Sequence, residues 1–138
     1  MLDISPLKNA LSQLEEGLRL ADQPAVPEIV RDGVIQRFEY TYELSWKMLR
    51  RYLELTESDP QGVDQLSFGD LIRLGFERGL LLSSYDVWAA FRQARGTTSH
   101  TYDRQKADKV FSVIPDFYVE ARALFERLEQ ANASKEKV

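Results

Sequence analysis

Between residues 107 and 128 apolar side chains return every three or four positions: Ala107, Val110, Phe111, Ile114, Tyr118, Ala121, Phe125 and Leu128. A strand would repeat every two, so this spacing gathers them on one side of a helix. Such a helix is stable only when other elements cover its apolar stripe. The chain supplies them. Leu7, Ala10, Leu11, Leu14, Leu18 and Ala21 predict a first helix, opened by Ser5 as a cap and Pro6 at the first helical position. Val34, Phe38, Tyr42, Ser45, Leu49 and Tyr52, widened by Ile35, Trp46 and Leu53, predict a long second helix from about Glu28 to Glu57.

Breaker residues divide these helices. The segment Asp22 to Pro27 ends the first helix, since Pro24 and Pro27 cannot continue it, and Ser58-Asp59-Pro60-Gln61-Gly62 has the composition of a loop. Ser67 is placed to cap a short helix from Phe68 to Arg78, which Gly79 stops; Ser83 or Ser84 starts another through Val87, Trp88, Phe91 and Ala94. Pro115 interrupts the last stripe, and an interior proline costs about 3 kcal/mol, so a kink is expected there and not a boundary. The polar end, Asn132 to Val138, is expected to fray. With no strand pattern and no internal repeat, residues 1–138 predict one all-α domain, an antiparallel up-and-down helical bundle of four main helices plus a short one.

The second helix carries more aromatic side chains than one neighbour can hide: Phe38, Tyr40, Tyr42, Trp46 and Tyr52. Core packing is the plain account of them, and their spread predicts two packing partners, one of them another copy of the chain. The opposite, polar face is expected to hold Arg31, Glu39, Glu43, Lys47, Arg50, Arg51 and Glu54.

One stretch does not fit a packing scheme. Arg95-Gly96-Thr97-Thr98-Ser99-His100-Thr101-Tyr102 sits between two good helical patterns and contains the only histidine of 138 residues. On an unbroken helix Arg95 and His100 would lie about 140° apart, so bringing them together needs a break, which Gly96 and the three hydroxyl residues are expected to provide. Arginine offers a planar fork for phosphate, and histidine passes a proton near neutral pH. The pair suits RNA cleavage without metal, a 2′-hydroxyl attacking its own phosphate. Since each chain has one histidine, separate acid and base would need two chains at a two-fold axis. A plainer account stays open: an interhelical turn in which Ser99 or Thr101 caps the last helix while Arg92 and Arg95 pair with carboxylates of the second.

Composition narrows the partners. With 18 basic and 22 acidic residues the net charge is −4, which argues against broad, sequence-blind nucleic-acid affinity but leaves room for a small basic site. There is no cysteine, and with one histidine no metal site is expected. No cofactor fingerprint such as a phosphate loop occurs. No stretch has the character of a signal peptide or a membrane span, so a cytoplasmic location is expected.

Two stretches also carry a resemblance. Arg95-x4-His100-x-Tyr102, within Arg-Gly-Thr-Thr-Ser-His-Thr-Tyr-Asp, and Phe38-Glu39-Tyr40-Thr41-Tyr42-Glu43-Leu44-Ser45-Trp46-Lys47 resemble the HEPN superfamily. More narrowly they resemble the nucleotidyltransferase substrate-binding proteins or HepT-like toxins. The resemblance implies a homodimer and a minimal nucleotidyltransferase partner encoded nearby, the two acting as toxin and antitoxin. It implies Arg95 and His100 as a ribonuclease pair acting on RNA, and Tyr102 as the hydroxyl that the partner adenylates to silence it. Active members usually carry a polar residue, often asparagine, where this chain has Gly96. The alternative it leaves is a non-catalytic subunit that presents a nucleotide or substrate to the transferase; a purely structural helical dimer is the third reading.

Overall fold

Six α-helices and one 3-10 turn account for the regular structure among residues 2–136, the part of the chain that the computed structural model describes. In order they are α1 (Ser5–Leu20), α2 (Glu28–Thr56), α3 (Pro60–Asp64), α4 (Phe68–Glu77), α5 (Tyr85–Gly96), the 3-10 turn Thr98–His100, and α6 (Arg104–Glu136). Pairs of contacts fix their directions. Arg37 donates to the Gln13 carbonyl at 2.6 Å and the Thr41 hydroxyl to that of Ala10 at 3.4 Å, so α1 and α2 are antiparallel. Asn132 reaches the Leu2 carbonyl at 2.9 Å and Tyr118 reaches Glu15 at 2.8 Å, which sets α6 antiparallel to α1. Ser83, just ahead of α5, bonds Glu120, while the far end of α5 shares a groove with Lys106 and Val110. The main helices α1, α2, α5 and α6 therefore alternate in direction, as the sequence predicts.

The core is centred on Phe117 of α6. Phe38 and Tyr42 from α2, and Trp88 and Phe91 from α5, place their ring centroids 5.0, 6.2, 6.1 and 5.3 Å from it. Three of the four meet it nearly edge-on, at 83–88°, the arrangement the ring quadrupole favours. Burying a ring of this size is worth about 1.5–3 kcal/mol. The expected stripe on the last helix missed this residue. The buried seam is Ala107, Val110, Ile114, Phe117, Ala121, Leu124 and Leu128, whereas Phe111, Tyr118 and Phe125 are half-buried beside it. Two apolar columns run side by side with a seven-residue repeat, and the alternating three-four spacing selects the column that faces the bundle. Pro115 lies exposed within α6, which continues through it.

Other boundaries differ in instructive ways. Ser5 does not cap α1 but is its first residue; Ile4 holds the cap position without a side-chain bond, and the Ser5 backbone N–H donates to the Asp3 carboxylate at 3.0 Å. The predicted loop at 58–62 contains the start of α3. Asp59 caps it by accepting from Gly62 at 3.1 Å, with Pro60 at its first turn. Arg50 of α2 then closes that turn by donating to the carbonyls of Val63, Asp64 and Leu66 at 3.0, 2.6 and 3.1 Å. Ser67 caps α4 as expected, accepting from Asp70 at 3.2 Å. Arg31, assigned to the polar face, is only 8% exposed and pairs with Glu28, Asp32 and Asp108, tying the start of α2 to that of α6. The expected fraying from Asn132 is not seen up to Glu136; Lys137 and Val138 lie outside the described residues.

Candidate functional site

The turn between α5 and α6 is built by hydroxyl groups. Thr97, Thr98 and Thr101 each donate to the carbonyl three residues earlier, at 2.9, 2.8 and 3.3 Å. These bonds satisfy carbonyls that the ending helix leaves open and tighten the chain into the 3-10 turn. Backbone bonds from His100 to Thr97 and from Asp103 to His100 continue the turn at 3.0 and 3.1 Å. Asp103, not Ser99 or Thr101, caps α6: its carboxylate accepts from Gln105 at 3.0 Å and from Lys106 at 3.4 Å. The break does not come from Gly96. That residue is the last of α5, lacks a positive φ, and a Cβ there would meet nothing within 4 Å.

Within the turn Thr98 points inward, at 6% exposure, while Ser99 and His100 are exposed. Thr98 also accepts a bond from the Arg95 guanidinium at 3.1 Å, so one buried hydroxyl fixes both the turn and the arginine. The rest of the guanidinium faces α2, where Glu43 lies 3.4 Å from its Nε and Glu39 lies 3.9 Å from its Nη1. The Nε contact is off hydrogen-bond alignment, which leaves that shielded donor unsatisfied. Thus the two stretches that stand out in the sequence touch each other through Arg95. The expected pairing with α2 carboxylates holds for Arg95. Arg92 instead lies 5.1 Å over the ring of Phe68 and makes no ion pair among the described residues.

His100 and Tyr102 come together on the outside. Their ring centroids are 6.2 Å apart at 73°, and Tyr102 is 85% exposed, so its hydroxyl is open to a macromolecular partner. Among the described residues of one chain no hydrogen bond joins Arg95 to His100: the arginine belongs to the α2 side and the imidazole to the solvent side of the turn. Beside Arg95 a groove of about 380 Å³ opens between α2, α4 and α5. Tyr42 forms part of its lining, and burial pushes the phenol up to about 12, against the opposing pull of Arg92 and Arg95. Sequence reasoning had Glu39, Glu43 and Arg92 in view but did not see the groove, whose lining is drawn from helices far apart in the chain.

The model of the family described as nucleotidyltransferase substrate binding protein like matches residues 2–130, and the chain belongs to that family. It is 40% identical over 110 residues to the Probable ribonuclease HepT of Haemophilus influenzae, covering 77% of this chain and 75% of the relative. Among solved structures it resembles a Haemophilus influenzae protein described as revealing the fold of a substrate binding domain of a nucleotidyltransferase. That match has a TM-score of 0.83 at 33% identity, over 92% of this chain and 99% of that one. A crystal structure from Thermus thermophilus matches with a TM-score of 0.73, also at 33% identity, over 88% and 98% of the two chains. No helix among the described residues is long and apolar enough to cross a membrane.

Proposed function

We propose that this chain is a HepT-like endoribonuclease subunit, cutting RNA without a metal and silenced when a nucleotidyltransferase partner adenylates Tyr102. The observation that carries the reading is the exposed His100–Tyr102 pair on a turn anchored from within by Thr98. An imidazole there takes the proton of an RNA 2′-hydroxyl as that oxygen attacks the adjacent phosphorus; the 5′-oxygen leaves with a proton, and a cyclic phosphate remains. Arg95 stabilises the charge on the phosphoryl oxygens. A homodimer with its two turns facing one cleft supplies both the acid and the base, and sets the Arg95 of one copy near the His100 of the other. The kinship with the probable ribonuclease of Haemophilus influenzae supports this reading.

A second reading has its own observation. Arg95 is already held by Glu39 and Glu43, and the next residue is Gly96 in place of the usual polar side chain. Both favour a non-catalytic subunit that presents a nucleotide or other substrate to the transferase, in keeping with the substrate-binding description of the family and of the Haemophilus fold. Incubating purified protein with RNA in EDTA separates the two. Cleavage that falls about 100-fold or more in His100→Ala and in Arg95→Ala supports the ribonuclease. Intact RNA with the folded wild type turns the assignment to the presenting subunit.

A further inference from the structure

We infer that the groove between α2, α4 and α5 is a nucleotide site, holding a nucleobase against Trp46 and its phosphate at Arg92. The groove's volume of about 380 Å³ lies within the range of small-molecule sites, roughly 300–1,000 Å³. Its walls combine what a nucleotide needs, an aromatic face and a cation. Trp46 is half-buried and Phe68 partly so, and both line the groove. Lys47 and Arg50 lie 5.6 and 5.8 Å from the Trp46 ring centroid, so a base stacking there shares the ring with them or displaces the exposed lysine.

The three arginines of the lining are not equivalent. Arg50 is committed to the carbonyls of Val63, Asp64 and Leu66. Arg95 is shared between Glu39, Glu43 and Thr98. Arg92 is exposed, has no carboxylate partner among the described residues, and is held over Phe68 at 5.1 Å. It is thus the guanidinium oriented by its neighbour yet free to take an anion, by a bidentate contact that a lysine could not make. Gly96 lines the groove and adds no side chain to it.

A base with its phosphate reaches this groove either as a free nucleotide or as one unstacked residue of single-stranded RNA. The RNA source rests on the ribonuclease reading, while the free-nucleotide source fits the presenting subunit equally well. Tryptophan fluorescence tests the site directly. The chain has two tryptophans, and Trp88 is fully buried in the core, so quenching by an added base reports on Trp46. The His100→Ala protein is titrated in EDTA with AMP, with ATP and with a short single-stranded oligoribonucleotide. Saturable quenching by any of them, weakened about ten-fold or more in Arg92→Ala and absent in Trp46→Phe, supports the site. Quenching by the mononucleotides marks free nucleotide as the source, and quenching by the oligonucleotide alone marks RNA. No saturable quenching, or quenching indifferent to Arg92→Ala in a protein of unchanged helicity, overturns it. Binding without any RNA cleavage by the wild type leaves this site standing and removes only the ribonuclease.

Discussion

Two turns join consecutive elements of this bundle, and they are made in opposite ways. The turn after α4 is a backbone device. Gly79 takes a φ of 75°, Leu80 N–H returns to the Gly75 carbonyl at 2.9 Å, and Gly79 N–H returns to Phe76 at 3.0 Å. This is the Schellman closure, and the two residues that follow the glycine, Leu80 and Leu81, are buried in the core. The turn after α5 has no residue at positive φ, relies on threonine hydroxyls, and buries only Thr98. Its two rings, His100 and Tyr102, stay in solvent. The first turn spends its residues on the core. The second holds its backbone with short side chains and keeps the larger ones available. That division is what a site presented to a partner requires.

The comparison can be broken by truncating one residue in each turn. Leu81→Ala should cost about 2–5 kcal/mol, because it removes a fully enclosed side chain from a packed core. His100→Ala should stay within about 0.5 kcal/mol of wild type, as expected of an exposed side chain with no hydrogen bond among the described residues. Urea unfolding of the two variants checks this, and a comparable loss in both would mean that the second turn is structural after all.

The glycines sharpen it. At Gly79 an alanine is strained by the left-handed backbone, and Gly79→Ala should lose about 1–2 kcal/mol. At Gly96 the backbone is helical and a Cβ meets nothing within 4 Å, so Gly96→Ala should be neutral or stabilising by up to about 1 kcal/mol. Thermal melts of the pair should therefore shift in opposite directions or, at the least, by clearly different amounts. Between these extremes lies Thr98→Val, which keeps the volume but drops the bonds to the Arg95 carbonyl and guanidinium. A loss of about 1 kcal/mol is expected, together with a less ordered Arg95 side chain by NMR.

What the sequence disclosed follows from how local each feature is. The identity of every helix but the short α3, the direction of the main helices and the Ser67 and Gly79 boundaries rest on spacing and on residues a turn apart, and these were readable. The Phe117 seam was missed because Phe111, Tyr118 and Phe125 repeat with the same period one position away; only the neighbouring helices decide which column is covered. Arg31 and Arg50 were placed on a polar face because their partners, Asp108 on another helix and the carbonyls at and just past the end of α3, are tertiary. At the candidate site the residue types were visible, and so was the option of pairing Arg95 with α2. That no hydrogen bond joins Arg95 to His100 among the described residues of one chain was not, since it depends on which way the 3-10 turn carries the imidazole.

The smallest expected effect on the fold is the most informative for function. Tyr102→Phe removes one hydroxyl from a side chain that is 85% exposed and whose only described contact is the ring of His100, so stability should change by no more than about 0.5 kcal/mol. Its consequence should be chemical. In adenylation the phenolic oxygen bonds to the α-phosphorus of ATP, pyrophosphate leaves, and the phenolic proton passes to a base. Phenols as a class ionise only near about pH 10, so a base in the partner's site or the neighbouring imidazole has to assist. The product carries an anionic phosphodiester two residues from His100, where it would both crowd the imidazole and repel an RNA phosphate. Co-expression with a minimal nucleotidyltransferase as the proposed partner, followed by peptide mass spectrometry, should find one adenylate on the peptide containing Tyr102 and none in Tyr102→Phe. If the tyrosine stays unmodified beside a transferase shown to be active, then the exposed ring serves as a docking contact. In that case Tyr102→Phe would leave the two proteins bound, while Tyr102→Ala would weaken their association.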